Sequence, residues 1–396
     1  MPKTNREPGF GGSARVQRLL SKLGVTVPIV QAPMSGASTP RLVAAVSNFG
    51  GLGSLGCAAL TPSQVRALFD EARSLTAHPL NLNFFVFNPP GREAISQRLS
   101  RAISDLSGID GVDCNAIPSG IRSFDESMLR LLFELPPSVI SFHLGLPSLE
   151  MIAALKEKGW CVLATATTVG EARAVEAAGI DVVVAQGWEA GGHRGVFNAK
   201  LDAQIGLLSL VPQIVDAVSI PVIAAGGIAD GRGIAAALAL GASGVQLGTA
   251  FLSTKESGAS DAAKSRVSTA KDTDTVVSRA FSGRPARLLR NRVVDALLPL
   301  DEEFLEFPRM LEVTRRLQSR NGSETSLDFE FLLFGQSAGM RSAGSAPELL
   351  NNLVHETTEA VRDIVAEWTP SPSNADAIPV MGAECASDEI AGDRRF

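Results

Sequence analysis

One phrase recurs along this chain: a capped helix, a glycine that stops it, and a short apolar run ending in small residues. Thr39 and Pro40 open one instance, Leu42, Val43 and Val46 share its apolar face, and Gly50 closes it. Thr168 with Glu171 three residues on makes a capping-box pattern, and Gly179 precedes Ile180-Asp181-Val182-Val183-Val184. Asp230 opens a third, with Ile234, Ala237 and Leu238 inward and Gly241 as its stop. Runs that are apolar on both faces and separated by helices belong to a parallel sheet covered by helices.

Eight such runs can be placed: Val27–Ala32, Gly51–Leu55, Leu80–Val86, Val139–Phe142, Cys161–Thr165, Asp181–Gln186, Pro221–Ala225 and Gly244–Leu247. Eight strand–helix units predict a closed α/β TIM barrel over residues 1–252, with a doubly wound open sheet as the alternative. No GxGxxG opens a helix after the first run, which weakens that alternative. Two stretches break the rhythm. Roughly fifty residues, about Asn88 to Pro137, separate the third and fourth runs, more than a βα connection needs. Residues 253–340 are polar and helical in pattern, a lid or subdomain, and 341–369 read as a closing helix. From 370 to 396 periodicity is lost, and a disordered tail is expected.

The bulk numbers narrow the partners. Hydrophobic residues make up 45% and charged ones 20%, a globular balance, and a net charge of −6 argues against nucleic acid. The most apolar region, 220–252, is interrupted by Asp230 and Arg232 and reads as barrel core, so no membrane span is expected. No signal peptide is expected of the charged opening residues. Cys57, Cys114, Cys161 and Cys385 show neither metal-ligand nor disulfide spacing, and a cytoplasmic protein without a metal is the expectation. The chain contains no tyrosine, which excludes any phenolic acid or donor.

A TIM barrel places its chemistry after the C-terminal ends of its strands. Those positions hold Pro33, Met34, Asn83, His143, Thr165, Gln186 to Arg194, Gly226, Gly227, Gln246, Gly248 and Thr249, and so two of the four histidines. Gly226-Gly227 and Gly248-Thr249, after the last two runs, either make tight turns or present bare N–H groups to a phosphate; finding both favours phosphate. In Ala185 to Gly195, AQGWEAGGHRG, a glycine-rich loop offers His193 as a base or donor near neutral pH, or holds it as an incidental surface histidine.

The segments VPIVQAPMSGASTPRLVAAVSNFGGLGSLG, LNLNFF, SFHLGLP, ATTVGEARAVEAAGIDVVVAQGWEAGGHRG and PVIAAGGIADGRGIAAALALGASGVQLGTAFL resemble, in order, the class I nitronate monooxygenases. The match runs over roughly Val27 to Leu252, with a weaker echo in FGQSAGM. The resemblance implies an FMN-binding barrel that oxidises alkyl nitronates, or nitroalkanes, with O2 to a carbonyl compound and nitrite through an anionic flavin semiquinone. It places Pro33 and Met34 along the flavin and Asn83 and Gln186 at its ring or ribityl edge. Gly191 and Gly192 close the loop, while Gly226, Gly227, Gln246, Gly248 and Thr249 surround the phosphate. His193 matches the catalytic histidine and His143 the second histidine, on the substrate side. That second histidine separates the family from the FMN-dependent, NAD(P)H-using enoyl-thioester reductases, which share the GGH loop. A non-catalytic flavin-binding protein is the third reading. The family's bacterial members place tyrosines around the pocket, and this chain has none.

Overall fold

The computed structural model describes residues 13–91, 94–108, 120–320, 327–340 and 344–368. Its strands are β1 (Ile29–Gln31), β2 (Gly53–Gly56), β3 (Leu80–Phe85), β4 (Val139–His143), β5 (Cys161–Ala166), β6 (Val182–Gln186), β7 (Gly192–His193), β8 (Val222–Ala225), β9 (Gly244–Leu247), β10 (Thr275–Ser278) and β11 (Ala286–Leu289). Eight of them pair in parallel in the order β1-β9-β8-β6-β5-β4-β3-β2. A bridge between Val30 and Leu52 joins the two ends, with Gln31 N donating to Leu52 O at 2.9 Å and Leu52 N to Ile29 O at 3.0 Å. The sheet is therefore a closed barrel, and all eight expected runs are its staves.

The outer helices form where the sequence caps them. Thr39 Oγ1 accepts from Leu42 N at the head of Pro40–Phe49, and the Asp230 carboxylate accepts from Arg232 N and Gly233 N at the head of Gly231–Ala239. The box expected at Thr168 is half formed. Its hydroxyl accepts from Glu171 N, but the Glu171 carboxylate turns instead to Thr167 and to Phe197 N, at 2.7 Å, in the loop after β6. A helix not anticipated from the sequence, Ala14–Leu23, precedes β1 and buries Val16, Leu19, Leu20 and Leu23 in one cluster with Val30, Leu52, Val182 and Ile223.

Above the C-terminal ends of the strands lies a second layer. The segment read as helical, 253–340, does carry helices Asp261–Ser268, Arg292–Leu297 and Arg309–Arg320, but β10 and β11 form an antiparallel hairpin within it. The correction has a local cause: Thr275-Val276-Val277 is β-branched and favours extended backbone. The layer also takes in helix Gln97–Ser107 from the long β3–β4 connection. Leu99 and Ile103 share a core with Phe281, Leu288, Val293, Leu297, Met310 and Val313. The two irregular stretches of the sequence thus form one cap. The closing helix runs Ala346–Trp368, packing on helices Gly231–Ala239 and Pro40–Phe49. The tail expected to be disordered, 370–396, lies outside the described residues.

Candidate active site

Gln186 ends β6, and the chain then turns through Gly187 to Ala190 before Gly192 and His193 pair with Arg287 and Ala286 of β11. The GGH loop is therefore stitched to the cap hairpin as a third strand. Gly191 allows this: a Cβ there would stand 2.5 Å from the Phe334 carbonyl carbon and 2.6 Å from Gly335 N. The FGQ segment lies across the loop, with Gln336 N donating to Glu189 O at 3.0 Å and Gly335 N to Thr249 Oγ1 at 2.8 Å.

The charged neighbours in the loop serve the scaffold. Both Glu189 carboxylate oxygens accept from Leu207 N at 3.0 Å, at the head of helix Leu207–Ala217. Arg194 is fully buried, pairs with Asp202 through Nε at 3.0 Å and Nη2 at 3.4 Å, and donates to Gly187 O at 2.7 Å. The Gln186 side-chain carbonyl accepts from Gly195 N at 2.7 Å and Arg194 Nη1 at 3.1 Å, while its amide donates to His193 O at 3.0 Å.

His143 and His193 meet across this frame. His143 Nε2 lies 3.1 Å from His193 O, a pure acceptor, so Nε2 carries the proton; Nδ1 then accepts from Thr165 Oγ1 at 3.0 Å. Both ring nitrogens of His143 are thus held by the protein. His193 Nε2 lies 3.0 Å from Ser282 Oγ, and its Nδ1 has no hydrogen-bond partner among the described residues. Phe307, Phe85 and Phe331 set their rings edge-on to His193, with centroids 5.3, 5.7 and 5.7 Å away. Burial pushes the His193 imidazole down to about 3, helped by His143 and Arg284. Burial likewise lowers His143 to about 4; its bond to the His193 carbonyl opposes this, and Arg284 and Arg194 add to it. Both histidines are neutral near pH 7.

Ser282, Arg284, Phe307 and Phe331 were not among the sequence candidates. They come from the cap, beyond the stretch that carried the resemblance, and the glycine-flanked SGRPAR turn was the one local signal of a close approach.

On the far side of the mouth, Gly226 and Gly227 take left-handed φ values of 114° and 68° after β8. The amides of Gly226, Gly227, Gly248 and Thr249 donate to nothing among the described residues. A Cβ on Gly248 would come 3.4 Å from Ala32 Cβ and 3.8 Å from Met34 Sδ, so the β9 end and the Pro33-Met34 turn border one space. The amide of Asn83 is tied to Ser141 Oγ at 2.9 Å, but its side-chain oxygen has no partner among the described residues, nor has the side chain of Gln246. Free N–H groups at one end and unpartnered amide side chains toward the middle fit a phosphorylated, hydrogen-bonding planar cofactor. Among the described residues no cluster of three His, Cys, Asp or Glu could hold a metal, and no helix is long and apolar enough to cross a membrane.

Comparison with known proteins gives the family and the fold. The nitronate monooxygenase family model matches residues 17–356. A nitronate monooxygenase of Pseudomonas aeruginosa is 43% identical over 346 residues, 86% of this chain and 98% of that protein. A nitroalkane oxidase structure from Streptomyces ansochromogenes is 38% identical with a TM-score of 0.79, covering 88% of this chain and 99% of the other. FabK from Thermotoga maritima is 31% identical with a TM-score of 0.71, covering 88% and 98%. The chain belongs to the nitronate monooxygenase family, whose members are oxidoreductases.

Proposed function

We propose that this protein oxidises alkyl nitronates with molecular oxygen, using FMN bound at the barrel mouth, to a carbonyl compound and nitrite. The observation that carries the reading is the pairing of His143 with the His193 carbonyl, which anchors the backbone of the loop while the neutral His193 imidazole, bonded to Ser282 through Nε2, keeps Nδ1 free beside an apolar wall. The amides of Gly226, Gly227, Gly248 and Thr249 would hold the phosphate; Asn83, Gln186 and Gln246 would meet the ring or ribityl chain; Pro33 and Met34 would lie along it. Gly191 and Gly192 keep the loop close to it. The flavin supplies the electron chemistry, and the protein supplies position, field and exclusion of water.

His193 faces the substrate through Nδ1, while His143 presents ring carbon to the same side, its centroid 5.7 Å from that of Phe85, and steadies the loop through its nitrogens. A base held at about 3 is poorly matched to taking a carbon-bound proton near neutral pH. A nitronate has already lost that proton, so the anion is the better substrate and the neutral nitroalkane the poorer. Cysteines without paired spacing fit a reducing compartment, and we read the cytoplasm as its place of work.

The likeness to FabK keeps one rival in view, reduction of enoyl thioesters by a nicotinamide. The test is to release and weigh the cofactor, then mix the loaded protein without oxygen, first with a nitronate and separately with NADPH. FMN bleached by the nitronate and left oxidised by NADPH is expected. FAD in place of FMN, or fast bleaching by NADPH with an enoyl thioester as acceptor, would overturn the proposal.

A further inference from the structure

His193 is anchored twice. Its backbone pairs with Ala286 of β11, and its carbonyl accepts from His143 Nε2 at 3.1 Å and Gln186 Nε2 at 3.0 Å. Its imidazole has a single hydrogen-bond partner among the described residues, the hydroxyl of Ser282. Ser282 is fully buried in the turn that leads into β11, and its neighbours hold it there. Thr314 Oγ1 donates to Phe281 O at 2.7 Å, and Gly283, at φ 82°, donates to Arg279 O at 2.8 Å. A side chain at Gly283 would collide with the Leu305 carbonyl, so the turn lies pressed against the rest of the cap.

A hydroxyl has one proton to give. Ser282 Oγ lies 3.1 Å from Arg284 O, a pure acceptor with no other donor among the described residues. The proton goes there, and the oxygen accepts from Arg284 N at 3.3 Å. Toward His193 Nε2, at 3.0 Å, the oxygen then has only a lone pair to offer, so this bond needs a proton on Nε2. The other tautomer loses twice. It sets lone pair against lone pair at Ser282, or strips the Arg284 carbonyl of its donor. It also puts a proton on Nδ1, which has no acceptor among the described residues and the Phe85, Phe307 and Phe331 rings around it. Of the ionisable groups, only His143 and Arg284 bear on this imidazole, and both favour its neutral form.

We infer that Ser282 is a positioning residue: acting through His193, it fixes the Nε2–H tautomer and leaves Nδ1 as a lone pair turned to the reacting molecule. The cap hairpin thus sets the proton state of a histidine that the barrel loop carries. Toward a substrate, Nδ1 is an acceptor with no proton to give. The inference rests on the nitronate reading above only in placing the reacting molecule on the Nδ1 side.

Two-bond proton–nitrogen correlation spectra of the flavin-loaded protein, labelled with nitrogen-15 in its four histidines, read the tautomer directly. The cross-peak pattern of each ring shows which nitrogen holds the proton, and the signals lost in His193→Gln identify that ring. Near neutral pH the wild type should carry the proton on Nε2. Ser282→Thr, which keeps the hydroxyl, should retain that pattern, and Ser282→Ala should shift it toward the Nδ1–H form. A serine that only supported packing would lower the melting temperature of the Ala variant and leave the ring pattern unchanged, which overturns the inference. A wild-type spectrum with the proton on Nδ1 overturns it whatever the variants do. Flavin-loaded wild type that shows the Nε2–H form and yet oxidises no nitronate refutes the reaction and leaves the tautomer assignment standing.

Discussion

His193 is buried and His143 half-buried, each with a ring nitrogen bonded to neutral protein groups, and that fixes how they answer acid. Their imidazoles fall from an ordinary 6.5 to about 3 and about 4 in the folded chain. Between about pH 4 and 6.5 the unfolded chain binds protons at these positions that the folded chain refuses, so stability rises with pH there and is lost as pH falls. Each histidine steepens that slope by up to about 1.4 kcal/mol per pH unit. Urea denaturation of wild type, His143→Gln and the His143→Gln, His193→Gln pair across this window should show progressively shallower slopes. Three parallel lines would mean that the imidazoles are solvated and titrate normally. Both histidines were legible in the sequence because His143 closes a strand and His193 stands in the glycine-rich loop that follows another. Ser282 and Arg284 were not, since their approach to the site depends on a hairpin pairing some ninety residues away from the loop they touch, and local pattern holds no trace of such pairing.

The barrel staves were readable because short apolar runs alternate with capped helices, several of them stopped by a glycine such as Gly50, Gly179 or Gly241, so period and punctuation agree. The cap was not, because its hairpin is short, partly polar and stabilised by neighbours distant in sequence. The GGH loop shows how the two layers meet. Its strand, β7, is only two residues long and exists by pairing with β11, under the Phe334–Gly335 segment. Gly191 is the point of closest approach, and a methyl group there must push that segment away. Gly191→Ala should therefore lower stability by about 1–3 kcal/mol and reduce retained flavin, since Gly335 also holds Thr249, to which we assign the flavin phosphate. Gly91→Ala, with nothing within 4 Å of its added carbon, is the matched control. Urea midpoints and flavin absorbance after dialysis read the outcome; a Gly191 variant as stable and as yellow as the control would show that the strap gives way without cost.

At the scale of the whole molecule, the C-terminal helix Ala346–Trp368 changes character along its length. Its first turns bury Ala346, Leu349, Leu350 and Leu353 against the helices that follow β1 and β8, covering the side of the barrel where β1 meets β9. The family match ends at 356, and the remaining turns leave Val361, Ile364 and Trp368 exposed, the last at 86%. One continuous helix therefore joins a part that the barrel needs to a part that it does not touch. The physical expectation divides at the same place. Leu353→Ala removes buried methyl groups from a packed seam and should cost about 2–5 kcal/mol, because the helices around it can close the gap only in part. Ile364→Ala removes as much apolar surface from a solvent-facing position and should change stability by less than about 0.5 kcal/mol. Urea denaturation of the two variants, monitored by far-ultraviolet circular dichroism at two protein concentrations, measures both. A loss at Ile364 as large as that at Leu353 and independent of concentration would mean that the outer turns pack on the same chain, and the division of the helix would be wrong. Should the Ile364 loss grow with protein concentration, the outer turns would be buried between copies, and the seam alone would no longer account for the stability the helix contributes.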